Sequence, residues 1–131
     1  MALSPASEKK LSTCHPDLIH LVKIVAVHMP ITILCGHRDD LEQHLAFTSG
    51  KSKLDYPNSK HNSNPSRAVD MAPTPYNPTD LRHLLSFGGF VLGCASVLGL
   101  SVRWGGSWSR LPAPVDPLKD FSDLFHFELE T

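Results

Sequence analysis

The stretch SKHNSNPSRAVD at residues 59–70, taken together with DLFHFEL at residues 123–129, decides what this chain can fold into. The first segment carries His61 and Asp70, and the second carries His126. Two imidazoles and a carboxylate make a three-donor set for a catalytic zinc, with a fourth position left open for water. Asp123, three residues before His126, is placed to act as a base on that water. The eight residues between His61 and Asp70 match neither helical nor strand spacing, so a loop has to fold back onto the strand carrying Asp70. Pro65 and the Asn and Ser residues around it supply such a turn. In the C-terminal segment, strand alternation puts His126 and Glu128 on one face, toward a cleft, and Phe127 and Leu129 on the other, toward a core. Glu128 is either an alternative base or a group that orients the neighbouring histidine.

Outward from these segments, periodicity and punctuation predict an α+β chain. Residues 1–11 are polar and read as flexible. Pro16 and Asp17 suit the first turn of a helix, and Leu18, Leu21, Val22 and Val25 follow at helical spacing to about His28 before Pro30 ends it. ITILC at residues 31–35 predicts a short buried strand, and residues 39–49 a polar helix. Residues 50–65 form a long polar loop, which in a compact domain is usually functional. A second strand is expected over residues 67–71, closed by Pro73 and Pro75. Asn77 is expected to cap the next helix, with Pro78 in its first turn and Asp80 reaching back. That helix carries Leu81, Leu84, Leu85, Val91, Leu92 and Leu98 and should be the central buried one. Strands over residues 100–104 and 125–129, joined by a Gly/Pro loop at 105–119, complete the pattern.

Composition narrows the classes. At 131 residues the chain is read as one domain, spanning residues 1–131. Twelve Lys+Arg against thirteen Asp+Glu give no footprint for nucleic acid or an anionic membrane. Cys14, Cys35 and Cys94 are odd in number and lack CxxC spacing, so they read as reduced thiols of a cytosolic product. No apolar signal core follows Met1. Residues 83–102 lack Asp, Glu, Lys and Arg and approach the length of a membrane span, about twenty residues. Gly88, Gly89, Gly93 and Gly99 and the weakly anchored ends favour a buried helix leading into a strand, with no stable membrane insertion. Of the eight histidines, His15, His20, His28, His44 and His83 read as surface or hydrogen-bonded side chains.

The two opening segments resemble the zinc peptidase family that includes D-alanyl-D-alanine carboxypeptidases, D-Ala-D-Ala dipeptidases and phage L-alanyl-D-glutamate endolysins. The family pattern is Ser-x-His, a short loop, Asp, and later an acidic residue shortly before a His. Gly36-His37-Arg38 followed by Gln43 resembles the family's upstream Gly-x-Arg…Gln element, and Arg103-Trp104-Gly105-Gly106 a stretch common in its short phage members. The resemblance runs from about Ser12 to Leu129. It implies an α+β fold with a small antiparallel sheet packed against helices, as in the Hedgehog signalling domain. It also implies His61, Asp70 and His126 as zinc ligands, Asp123 as general base, Arg38 on a substrate carboxylate or the oxyanion, and Ser59 as a supporting or substrate contact. For Arg38 an ion pair with Asp39 or Asp40 is the competing reading, and for Trp104 and Trp108 core packing competes with lining the cleft. Arg67 reads as a structural partner of a carboxylate or of the loop.

The resemblance implies cleavage of peptidoglycan stem peptides by a phage or prophage endolysin, with L-alanyl-D-glutamate endopeptidase activity favoured over D,D-carboxypeptidase activity. A catalytically silent binding module of the same fold is the alternative outside enzymes. With no separate wall-binding domain and no signal peptide, a monomer made in the host cytoplasm and released to the wall through a holin-type lesion is expected. The sequence departs from many relatives in the longer gap between His61 and Asp70, in Asp rather than Glu at position 123, and in Phe125 where Pro is frequent. Residues 105–119 hold only Asp116 as an acid, so the calcium-dependent loop of some relatives is not expected.

Overall fold

The computed structural model describes residues 3–106 and 123–130. Helices α1 (Pro5–Leu11) and α2 (Pro16–His28) precede strand β1 (Ile31–Cys35) and helix α3 (Asp40–Thr48). A 3-10 turn (Lys60–Asn62) leads to β2 (Ala68–Pro73), followed by α4 (Leu81–Val97), β3 (Val102–Gly105) and β4 (Asp123–Leu129). The strands form one sheet in the order β1-β2-β4-β3, every pair antiparallel. This is the α+β architecture, with a small antiparallel sheet against helices, that the sequence predicts.

α4 packs across β2, β3 and β4 with α2 beside it, and this layer is the core. Leu18, Leu21, Val22 and Val25 of α2, Phe87 and Val91 of α4, and Val69, Met71 and Phe127 of the sheet are all fully or almost fully buried. Burial of each such side chain contributes about 1.5–3 kcal/mol. Phe127 meets Phe87 edge-on and lies nearly parallel to the Trp104 ring. No helix of the described residues is long and apolar enough to cross a membrane.

Three local expectations are corrected. The N-terminal segment expected to be flexible contains α1: Ser4 Oγ accepts from Ser7 N, Leu11 is buried, and Ser7 Oγ accepts from Ile33 N at 3.0 Å. Two turns with few apolar residues have too little periodicity to read as a helix, and docking on β1 adds to the Ser4 cap in stabilising it. Helix α4 is capped by Asp80, whose Oδ1 accepts from His83 N, while Asn77 closes a turn on Thr79. Pro73, expected to close the second strand, is its last residue, paired with Ile31 of the edge strand β1.

Helix α4 approaches β3 closely because Gly88 has no side chain: a Cβ there would overlap the Trp104 indole. Gly93, on the exposed side of the same helix, faces open space. Gly88→Ala is therefore expected to destabilise the protein by about 1–3 kcal/mol. Gly93→Ala should stabilise it by about 0.5–1 kcal/mol through helix propensity. Thermal melting of the two variants checks this, and equal melting temperatures would contradict the packing of α4 on Trp104.

Candidate metal centre

The sheet face opposite the helices carries the polar cluster. Asp70 on β2 and His126 on β4 are paired residues of neighbouring strands, so their side chains emerge side by side. Phe127 and Leu129 face the core, as alternation predicts, while His126 and Glu128 face away. The loop also folds back as required. Ser59 caps the Lys60–Asn62 turn, accepting from His61 N at 3.2 Å, and Asn62 Oδ1 returns a bond to Ser59 N. Backbone bonds from Arg67 N to Lys60 O and from Arg38 N to His61 O hold the turn between the end of β1 and the start of β2.

His61 Nε2 lies 3.2 Å from Asp70 Oδ1, and His126 Nδ1 lies 3.1 Å from the same oxygen. Each ring is anchored through its other nitrogen: His61 Nδ1 donates to the Gly36 carbonyl at 2.6 Å, and His126 Nε2 donates to Glu128 Oε1 at 2.8 Å. These anchors select the nitrogen that each imidazole presents to the cluster, the arrangement usual behind metal-ligating histidines. Asp70 Oδ2 accepts from Arg38 Nη2 at 3.2 Å. Potential donor atoms of Asp70, Asp123 and His126 lie within 4.8 Å of one another, as do those of Cys35, His61 and Asp70. His61 and His126 thus fall in two donor groups joined by Asp70, and the shared carboxylate and backed outer nitrogens are chemistry that suits a divalent cation such as zinc.

The charges follow from burial and pairing. Burial opposes charge on His61, but the Asp70 carboxylate outweighs it and raises the imidazole from 6.5 to about 10. His126 is raised too, against the same burial penalty, by Asp70 and Glu128. Asp70 itself, although buried, is held well below the usual carboxylate range by the two histidines. Glu128 is lowered despite burial by His126, Lys60 and Arg103. Asp123 goes the other way: burial and the nearby Asp70 charge push it up, so this acid holds a proton more readily than its neighbours. The cluster thus favours positive charge on both imidazoles beside the Asp70 and Glu128 carboxylates.

Other expected site residues fall in varied places. Arg38 is not in a surface pair with Asp39 or Asp40. Asp39 caps α3, Asp40 accepts from its own neighbour's N–H, and Arg38 joins Asp70 and Gln43. Ser59 is a nearly buried cap that also borders the cleft. Glu128 backs His126. Trp104, expected to line the cleft or pack in the core, packs in the core: it is 4% exposed and donates from Nε1 to the Leu124 carbonyl at 2.9 Å. Trp108 and the loop expected over residues 107–119 lie outside the described residues. At the end of β3, Gly105 pairs with Asp123, and a Cβ there would collide with the Asp123 backbone. The general-base candidate thus sits at the first position of β4, against the end of β3. Cys35 was read as an ordinary thiol; its place opposite Asp70 comes from β1–β2 pairing, which no local signal announces.

The cluster opens into a cleft of about 380 Å³ bordered by Arg38, Ser59, His61, Asp123, His126 and Glu128. A comparable fold occurs in the crystal structure of the Serratia marcescens L-Ala D-Glu endopeptidase ChiX. That likeness has a TM-score of 0.73 and 25% sequence identity, over 98% of this chain and 90% of the other. The fold is thus the one seen in that peptidase, with the polar cluster opening into its cleft. The chain belongs to the phage L-alanyl-D-glutamate peptidase family, whose sequence model matches residues 1–130. No curated protein matches it.

The pairing of His61 has a pH signature in the metal-free protein. A group raised from 6.5 to about 10 on folding contributes stability that is complete below about pH 6.5 and is lost as pH rises through about 10. The melting temperature in chelator should therefore fall across that window. A flat or rising profile by circular dichroism would contradict the His61–Asp70 pairing.

Proposed function

We propose that this chain is a zinc-dependent L-alanyl-D-glutamate endopeptidase that cuts peptidoglycan stem peptides and serves a phage or prophage as its endolysin. The observation that carries the reading is the convergence of His61 Nε2 and His126 Nδ1 on one oxygen of Asp70. Family membership and the ChiX-like fold both favour the L-alanyl-D-glutamate bond over a D-alanyl-D-alanine bond. His61, Asp70 and His126 would hold the metal, with Glu128 and the Gly36 carbonyl steadying the two rings. Bound there, zinc lowers the pKa of a water to about 7 and polarises the scissile carbonyl.

The remaining chemistry belongs to the side chains. Asp123 takes the proton of the attacking water and returns it to the departing D-glutamyl amine. Its burial and the Asp70 charge raise its proton affinity, which suits a group that must hold a proton between the two steps. Arg38 neutralises Asp70 and adds positive charge beside the developing oxyanion. Action on the wall after release through a holin-type lesion fits this role.

His126→Ala is expected to lose both bound zinc and activity, whereas Asp123→Ala should keep zinc and lose turnover by at least about a hundredfold. Elemental analysis of the purified proteins and mass spectrometry of digested peptidoglycan read the two effects separately. The wild type should create a free amine on D-glutamate. Released D-alanine would point instead to a carboxypeptidase, and new reducing sugar ends to glycan cleavage. Wild-type lysis by the Asp123→Ala protein or by metal-stripped protein would overturn the mechanism.

A further inference from the structure

The chain has a formal charge of −1, yet among the described residues bordering the cleft cations outnumber carboxylates. Arg38, Lys51, Lys53, Lys60 and Arg103 stand against the carboxylates of Asp123 and Glu128. Three of these cations serve carboxylates of the site. Arg38 pairs with Asp70 at 3.2 Å, while Lys60 and Arg103 lie 3.5 Å and 3.8 Å from Glu128. Lys51 and Lys53 are solvent-exposed and belong to the segment that forms another wall of the cleft, together with Ser52 and Leu54.

That segment is built, not merely adjacent. Gln43 of α3 is fully buried, and its Nε2 donates to Ser52 Oγ at 3.0 Å and to the Leu54 carbonyl at 2.6 Å. Ser52 N donates to the Ala46 carbonyl, and Leu54 N to Ser52 Oγ. On its other side Gln43 Oε1 accepts from Arg38 Nη1 and from Asn62 Nδ2, each at 3.2 Å. A single buried amide thus ties the two lysines flanking Ser52 to Arg38 and to the turn that carries His61. The backbone that carries the lysines is thus fixed relative to the polar cluster.

We propose that Lys51 and Lys53 form a carboxylate-binding subsite, which selects stem peptides whose D-glutamate keeps its free carboxylate over those in which it is amidated. The inference rests on the peptidase reading and adds a specificity to it. When the D-glutamate nitrogen is in the scissile amide, one of its two carboxyls continues the stem, and the other is either a carboxylate or an amide. Arg38 is turned to Asp70 and Gln43, so Lys51 and Lys53 supply the additional positive charge at the cleft border for that carboxylate. Exposed charges attract over about 10 Å at 0.1 M salt, so the selection should weaken as ionic strength rises.

The test compares cleavage of two purified peptidoglycans, one with D-glutamate and one with its amidated form, by wild type, Lys51→Gln/Lys53→Gln and Lys51→Arg/Lys53→Arg. Wild type should favour the free acid by about three- to tenfold in kcat/KM, the range of one to two exposed charge pairs. The double Gln variant should lose that preference through KM while keeping its melting temperature and metal content, and the double Arg variant should restore it. Equal wild-type cleavage of both substrates, or an undiminished preference in the Gln variant, overturns the subsite and leaves the peptidase reading intact. Failure of wild type to cut the L-alanyl-D-glutamate bond in either substrate overturns both.

Discussion

A carboxylate taken out of water must be paired, or folding bears a penalty of several kcal/mol. Asp70, 9% exposed on an inner strand, is that carboxylate here, and its partners come from separate parts of the chain. His61 arrives on the 3-10 turn, Arg38 from the segment after β1, and His126 from β4, 56 residues further along. Only when β1 and β4 flank β2 and the turn folds over their ends does the charge find all three cations. Assembly of the sheet and assembly of the site are therefore one event, and the negative charge that would be costly alone becomes the centre of a convergent donor set.

The rigidity of that set comes from the opposite face of the same strands. Val69 and Phe127, the cross-strand pair next to Asp70–His126, lie in the core, backed by α4 and α2. Two absent side chains permit the close approaches: Gly88 lets α4 sit on the Trp104 ring, and Gly105 lets the end of β3 close on Asp123 at the start of β4. Asp70 and His126 on packed strands and His61 on a capped turn are held in place, each imidazole through its outer nitrogen. The cationic wall follows the same logic at longer range, since the buried amide of Gln43 couples the Lys51–Lys53 segment to Arg38 and the His61 turn.

Much of this was legible in residue order because it obeys local rules. Helical spacing of Leu18, Leu21, Val22 and Val25 marks α2, and alternation over His126-Phe127-Glu128-Leu129 separates the polar face from the core face. Where local signals were weak or competed, the readings failed. α1 is too short for its pattern to show, Asp80 displaced Asn77 as a cap, and the Trp104 ring, free in sequence terms to face either side, went to the core. Arg38 stands beside two aspartates in the chain but pairs with a third, because its neighbours' carboxylates are already spent on helix-capping bonds.

The amino-acid sequence by itself determined the donor inventory, the periodicity of the main elements and the turn chemistry that lets residues 59–70 double back. Tertiary structure decided which nitrogen each histidine presents, that Cys35 stands across from Asp70, that Glu128 backs His126, and that five cations of the described residues border one cleft. The division has a physical cause. Periodicity and capping depend on neighbours a few residues apart, whereas strand register and the pairing of buried charges are set by burial free energies shared among segments that meet only when the whole sheet forms.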